Sequence, residues 1–184
     1  MCPFFIVNNF VDRIPIYSVD DVYKRTILLD RALFSFEIFY IIVLEQVISA
    51  THITNTTKWK PNGVTIAGGN GQGNQSNQLY FPQGIYVDDD GQCIYIADHQ
   101  NHRIVAWKYG AKTGEVVAGG NGRGNQMNQL DYPRDVIVDK KNDSLIICDR
   151  SNRRVVRWSR QNATKRQTII SNIDCYGLTM DNNG

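Results

Sequence analysis

A segment of 41 residues occurs twice, and this internal repeat limits the chain's architecture more than any other feature. Ala67–Trp107 and Ala118–Trp158 align without gaps at an offset of 51 residues, with 20 of the 41 positions identical. A third copy begins at Tyr176-Gly177-Leu178-Thr179-Met180-Asp181, which corresponds to Gln83–Asp88. Trp59 and Val64-Thr65-Ile66 resemble the tail of a preceding copy. Self-similarity at such a period points to one supersecondary unit used repeatedly. Within each unit, short stretches rich in β-branched and aromatic residues predict four strands: Gly84–Asp88, Ile94–Asp98, Arg103–Trp107 and Val116–Ala118 in the first. Adjacent apolar pairs such as Ile104-Val105 and Val155-Val156 blur the alternation, as in sheets packed on both faces. Four short strands per unit of about 40–50 residues describe a propeller blade.

Composition agrees with a folded domain. The 184 residues are 42% hydrophobic, enough for a packed core, and the net charge of +2 excludes a chain that is basic throughout. No CxxC pair exists among Cys2, Cys93, Cys148 and Cys175, so no zinc finger or RING can be built from them.

The residues F-P-Q-G-I-Y-V-D-D-D-G followed by I-Y-I-A-D-H-Q-N-H-R-I-V resemble an NHL repeat, the blade unit of NHL-type β-propellers, and the second copy resembles it too. The second copy departs at Asp135, where the first has Gly84. The resemblance implies an all-β fold of NHL-type blades, as an incomplete propeller: blades at 67–117 and 118–168, a remnant of a preceding blade at 51–66 and the start of another at 169–184. A propeller closes with about 4–8 blades. The chain is therefore expected to be a fragment, or to need further blades or self-association.

Residues 1–50 share nothing with the repeat and form an extension. Ala32–Leu44 is apolar except for Ser35 and Glu37, and a helix is expected there. Its thirteen residues would span roughly 20 Å, too short for a bilayer but matching the apolar part of a signal peptide. Val47-Ile48-Ser49-Ala50 would supply a cleavage site, in which case the true start lies inside this segment. Sequons at Asn55, Asn74, Asn142 and Asn162 add to a secreted reading, against a cytoplasmic one.

Each repeat carries an Asp-x-x-Asn-x-Arg motif: Asp98, Asn101 and Arg103, then Asp149, Asn152 and Arg154. Asp and Arg face each other across a hairpin and can pair bidentately, with Asn in the left-handed turn conformation. A feature present in every blade is structural rather than catalytic. His99 and His102 could ligate metal, but the second copy has Arg150 and Arg153 there, and solvated loop histidines are expected. Asp88-Asp89-Asp90-Gly91 reads as a turn rather than a calcium loop. The runs at Gly68–Gly73 and Gly119–Gly124 have no following helix, so they read as flexible connectors rather than phosphate loops. No metal or cofactor is expected. Cys148 and Cys175 could meet between adjacent blades as a disulfide, or remain two buried thiols.

Charge separates the copies. Between Arg150 and Arg166 lie seven basic residues and no acidic one. Arg150, Arg153, Arg157 and Arg160 form the candidate binding set, a basic rim for a polyanion or an acidic partner. The expected function is a non-catalytic scaffold binding a protein, peptide or other ligand. Alternatives left by the resemblance are the substrate-recognition part of a ubiquitin ligase whose RING lies elsewhere, a fragment of a peptidyl-hydroxyglycine lyase, and RNA binding through the basic rim.

Overall fold

The computed structural model describes residues 4–6, 25–29, 40–45, 64–88, 90–162 and 164–180. Two four-stranded antiparallel sheets carry the repeats, each a meander in chain order. The first consists of β5 (Pro82–Asp88), β6 (Cys93–Asp98), β7 (Arg103–Lys108) and β8 (Glu115–Gly119); the second of β9 (Pro133–Asp139), β10 (Ser144–Asp149), β11 (Arg154–Ser159) and β12 (Arg166–Ser171). The sheets are thus two successive blades. Each starts fifteen residues into the repeat unit, at Pro82 and Pro133, because the Ala-Gly at the head of each unit ends the outer strand of the sheet before it.

Three further strands precede them. β2 (Arg25–Leu29), β3 (Tyr40–Glu45) and β4 (Val64–Gly68) form a three-stranded antiparallel sheet. Its register repeats that of the blades: β3 and β4 pair Tyr40 with Gly68 and Ile41 with Ala67, then slip between Ile41 and Ile42. β7 and β8 pair Arg103 with Gly119 and Ile104 with Ala118, then slip between Ile104 and Val105. The helix expected over Ala32–Leu44 is therefore corrected for its last five residues, which are strand. A continuous run of apolar residues has no period to tell the two apart, and Val64–Gly68 supplies a sheet partner far along the chain. The rest of that stretch, with the signal-like residues 47–50 and Asn55, lies outside the described residues. β1 (Phe4–Ile6) pairs antiparallel with β13 (Leu178–Met180).

Cores lie on both faces of the blades. Between the two sheets, Tyr95, Ala97 and Ile104 pack against Leu130, Val136, Val138, Leu145, Ile147, Val156 and Trp158. The far side of the first sheet buries Ile85, Ile94, Ile96, Val105 and Trp107 with Ala67 and Leu79. The far side of the second buries Ile146, Cys148 and Val155 with Cys175 and Leu178. Every residue of β6 and of β10 is buried, which is why their sequences do not alternate. Among the described residues, no helix is long and apolar enough to cross a membrane.

Candidate functional site

The repeated Asp, Asn and Arg lie at the β6–β7 and β10–β11 turns. Arg103 Nε donates to Asp98 Oδ2 at 2.7 Å, and Asn101 Nδ2 donates to the same oxygen at 2.8 Å. Asp98 Oδ1 accepts the Tyr80 backbone N–H at 2.7 Å. The remaining guanidinium nitrogens donate to the carbonyls of Asn74, Gln75 and Gln78, and Asn101 Nδ2 also donates to that of Gly73. The second copy repeats the set: Arg154 joins Asp149 to the carbonyls of Asn125, Gln126 and Gln129, and Asn152 reaches Gly124. Burial pushes both carboxyls up from the ordinary range, while the donors from Asn, backbone and Arg pull them back.

Three expectations are corrected here. The Asp–Arg contact is a single Nε bond, because the other nitrogens hold the glycine-rich loop. That loop is consequently not a free connector; it is pinned through its carbonyls, groups every sequence has and no sequence displays. The left-handed residue of each turn is the one after Asn, His102 at φ 52° and Arg153 at φ 52°.

His99 and His102 are not solvated loop residues. They grip Tyr132 of the next blade, with ring centroids 5.0 and 4.6 Å from its ring. His102 Nδ1 accepts the Tyr132 N–H at 3.1 Å, and His99 Nδ1 lies 3.0 Å from the Pro133 carbonyl, to which it donates. The bonds assign opposite tautomers to the two rings. Burial lowers both imidazole pKa values. At the next boundary Arg150 takes over: its Nη2 donates to the Tyr176 hydroxyl at 2.9 Å, and its guanidinium lies 4.6 Å from the ring centroid. Arg134 stacks on the same ring at 4.8 Å.

The four arginines of the candidate basic rim do not form one surface. Arg150 and Arg153 lie in the turn before β11. Arg153 is exposed, and its side chain makes no ion pair or hydrogen bond among the described residues. Arg157 lies along β11 and pairs with buried Asp139 at 3.3 Å. Arg160 lies beyond the opposite end of that six-residue strand, about 20 Å away by the strand rise. It pairs with Asp88 of the first blade at 3.3 Å and with Asp143 at 3.4 Å, and lies over Tyr95. Asp88 has only Ala106 where Asp139 has Arg157, so its countercharge comes from the neighbouring blade. Sequence reasoning overlooked this because the partner lies in another repeat.

Cys148 and Cys175 are joined as a disulfide, with Cα atoms 5.7 Å apart and no exposure. Cys93 is a buried free thiol. Of the described sequons, Asn74, Asn142 and Asn162 are all at exposed positions. No group of three or more His, Cys, Asp or Glu residues placed to hold a metal ion occurs among the described residues.

Residues 79–107 match the family model described as NHL repeat. The match begins at Leu79, one residue before the N–H that Asp98 accepts, and ends at Trp107, spanning β5, β6, the motif turn and nearly all of β7. The chain thus carries an NHL repeat within a pair of propeller-type blades. No curated protein matches the chain.

Proposed function

We propose that this protein is a non-catalytic scaffold whose NHL blades bind an acidic segment of another protein through the turn that precedes β11. The observation that carries the reading is a substitution on a fixed backbone. His102 and Arg153 cap equivalent turns at φ 52°, ψ 42° and φ 52°, ψ 44°. The first copy fills its turn with two histidines held against Tyr132; the second places two arginines there, of which Arg153 is exposed and makes no side-chain hydrogen bond or ion pair among the described residues. Repeat scaffolds specialise at such loop positions while the core is kept. An exposed guanidinium offers a planar fork suited to carboxylates. The repeated Asp, Asn and Arg spend their bonds on the glycine-rich loops, which favours a structural part for them in every blade.

Arg157 and Arg160 are left out of the proposed surface because their charges are met by Asp139, Asp88 and Asp143. The test is retention on heparin, a polyanion probe, for the wild type, Arg153→His and the Arg150→His/Arg153→His double variant, with melting temperatures recorded alongside. Retention should fall with each step while Arg153→His melts as the wild type does. Unchanged retention of the double variant would remove the turn from the account.

A further inference from the structure

We propose that Asn162 carries an N-linked glycan. The chain offers three described sequons, and the fold treats two of them, Asn162 and Asn142, in opposite ways. Asn162 lies in the turn joining β11 to β12 with Thr164, and both residues are exposed. Its backbone N–H donates to Ser159 Oγ at 3.1 Å, and its carbonyl accepts the Lys165 N–H at 2.9 Å. Its side-chain Oδ1 accepts both the Thr164 hydroxyl, at 2.7 Å, and the Thr164 N–H, at 3.0 Å. Every polar atom of Asn162 is thus used to close the turn except Nδ2, the atom that bonds a sugar, which makes no hydrogen bond among the described residues.

At Asn142 the same atoms are committed the other way. Nδ2 donates to Asp139 Oδ2 at 2.7 Å, and Asp139 is buried. The sequon hydroxyl, on buried Ser144, donates to the Asn142 main-chain carbonyl at 2.8 Å. A sugar on this Nδ2 would replace one of its two hydrogens and crowd its bond to the buried Asp139 carboxylate, so modification at Asn142 disturbs a contact of the fold. Transfer to sequons accompanies chain synthesis, so the folded structure decides which modified chains still reach the native state.

The second, independent observation is the Cys148–Cys175 disulfide, which is formed and kept in an oxidising folding compartment. That compartment also supplies the co-reactant, a lipid-linked pyrophosphoryl oligosaccharide. In the transfer, the Asn162 Nδ2–C1 bond forms and the C1–O bond to the pyrophosphate breaks. The lipid pyrophosphate leaves with the electron pair, and the Nδ2 proton passes to a base of the transferase. The Asn162 turn lies at the opposite end of β11 from Arg153, so a glycan there leaves the proposed binding turn open.

The test is expression of the full chain behind an added secretory leader in a eukaryotic cell. Deglycosylation by an amidase in heavy-oxygen water, with peptide mapping, then reads occupancy at each sequon. Asn162 should be occupied and Asn142 bare. Asn162→Gln and Thr164→Ala should each lose the same single glycan step on a gel, while Thr164→Ser, which keeps the hydroxyl, should retain it. A bare Asn162 in secreted protein, or a glycan carried equally by Asn142, overturns the proposal.

Discussion

Asp135 Oδ2 accepts the backbone N–H of Leu178 at 2.8 Å, tying the inner strand of the second blade to β13 of the next. On its other side Asp135 lies against Gly84, the residue it replaces in the repeat. A Cβ at position 84 would sit 2.7 Å from both the Arg134 carbonyl oxygen and the Asp135 Cα. The two copies differ here because the boundaries differ: the first needs bare backbone, the second accommodates a carboxyl. Gly84→Ala should therefore destabilise by about 1–3 kcal/mol through overpacking, measured as a drop in the urea midpoint. Ala at Gly110, where an added Cβ meets nothing, should show only the milder strain of its positive φ.

Burial raises the Asp135 carboxyl to about 7 from an ordinary 3.8. The folded state then binds more protons than the unfolded state between those values. Stability should accordingly fall as pH rises from about 4 to 7 and level off above, by no more than about 4 kcal/mol. Asp135→Asn should flatten this dependence. A wild-type stability profile with the same slope in the variant would exclude Asp135 as its source.

The histidine clasp has the opposite sign. His99 and His102 titrate below 6.5 when folded, so the folded state binds fewer protons and stability is lost as pH falls below that value. Protonated His102 cannot accept the Tyr132 N–H. Asp131, 3.7 Å from His102, partly offsets this, and Arg123, Arg134 and Arg150 reinforce it. In an Asp135→Asn background, melting temperature should drop from pH 7 to pH 5, and His102→Gln should shrink that drop.

Removing Arg103 strands Asp98 in the interior and frees three carbonyls. Arg103→Ala should cost about 3–5 kcal/mol, and Arg103→Lys nearly as much, because an ammonium lacks the fork that spans carboxylate and loop. Hydrogen exchange distinguishes this from general loosening: protection at Gly73 and Gln78, whose N–H groups bond within the loop, should be lost first.

The repeat made the blades readable because strand, turn and strand recur at one offset with their apolar positions intact. Asp98 and Arg103 were readable as partners because they flank one hairpin. What lay between blades was hidden. Tyr132 under His99 and His102, and Asp88 under Arg160, join residues of different copies, and a single repeat contains only half of each contact. The strand at Tyr40–Glu45 was hidden for a related reason: its pairing partner, Val64–Gly68, lies beyond a stretch with no pattern of its own.

The most direct measurement of the proposed function is a 15N-resolved NMR titration of the full chain with a polyglutamate peptide at low salt. Shifts should concentrate at Arg150, Ser151 and Arg153, stay small at His99–His102, and fade as salt is raised. Shifts centred instead on Lys140, Asp143 and Arg160 at the other end of the strands, or none at any peptide concentration, would contradict it.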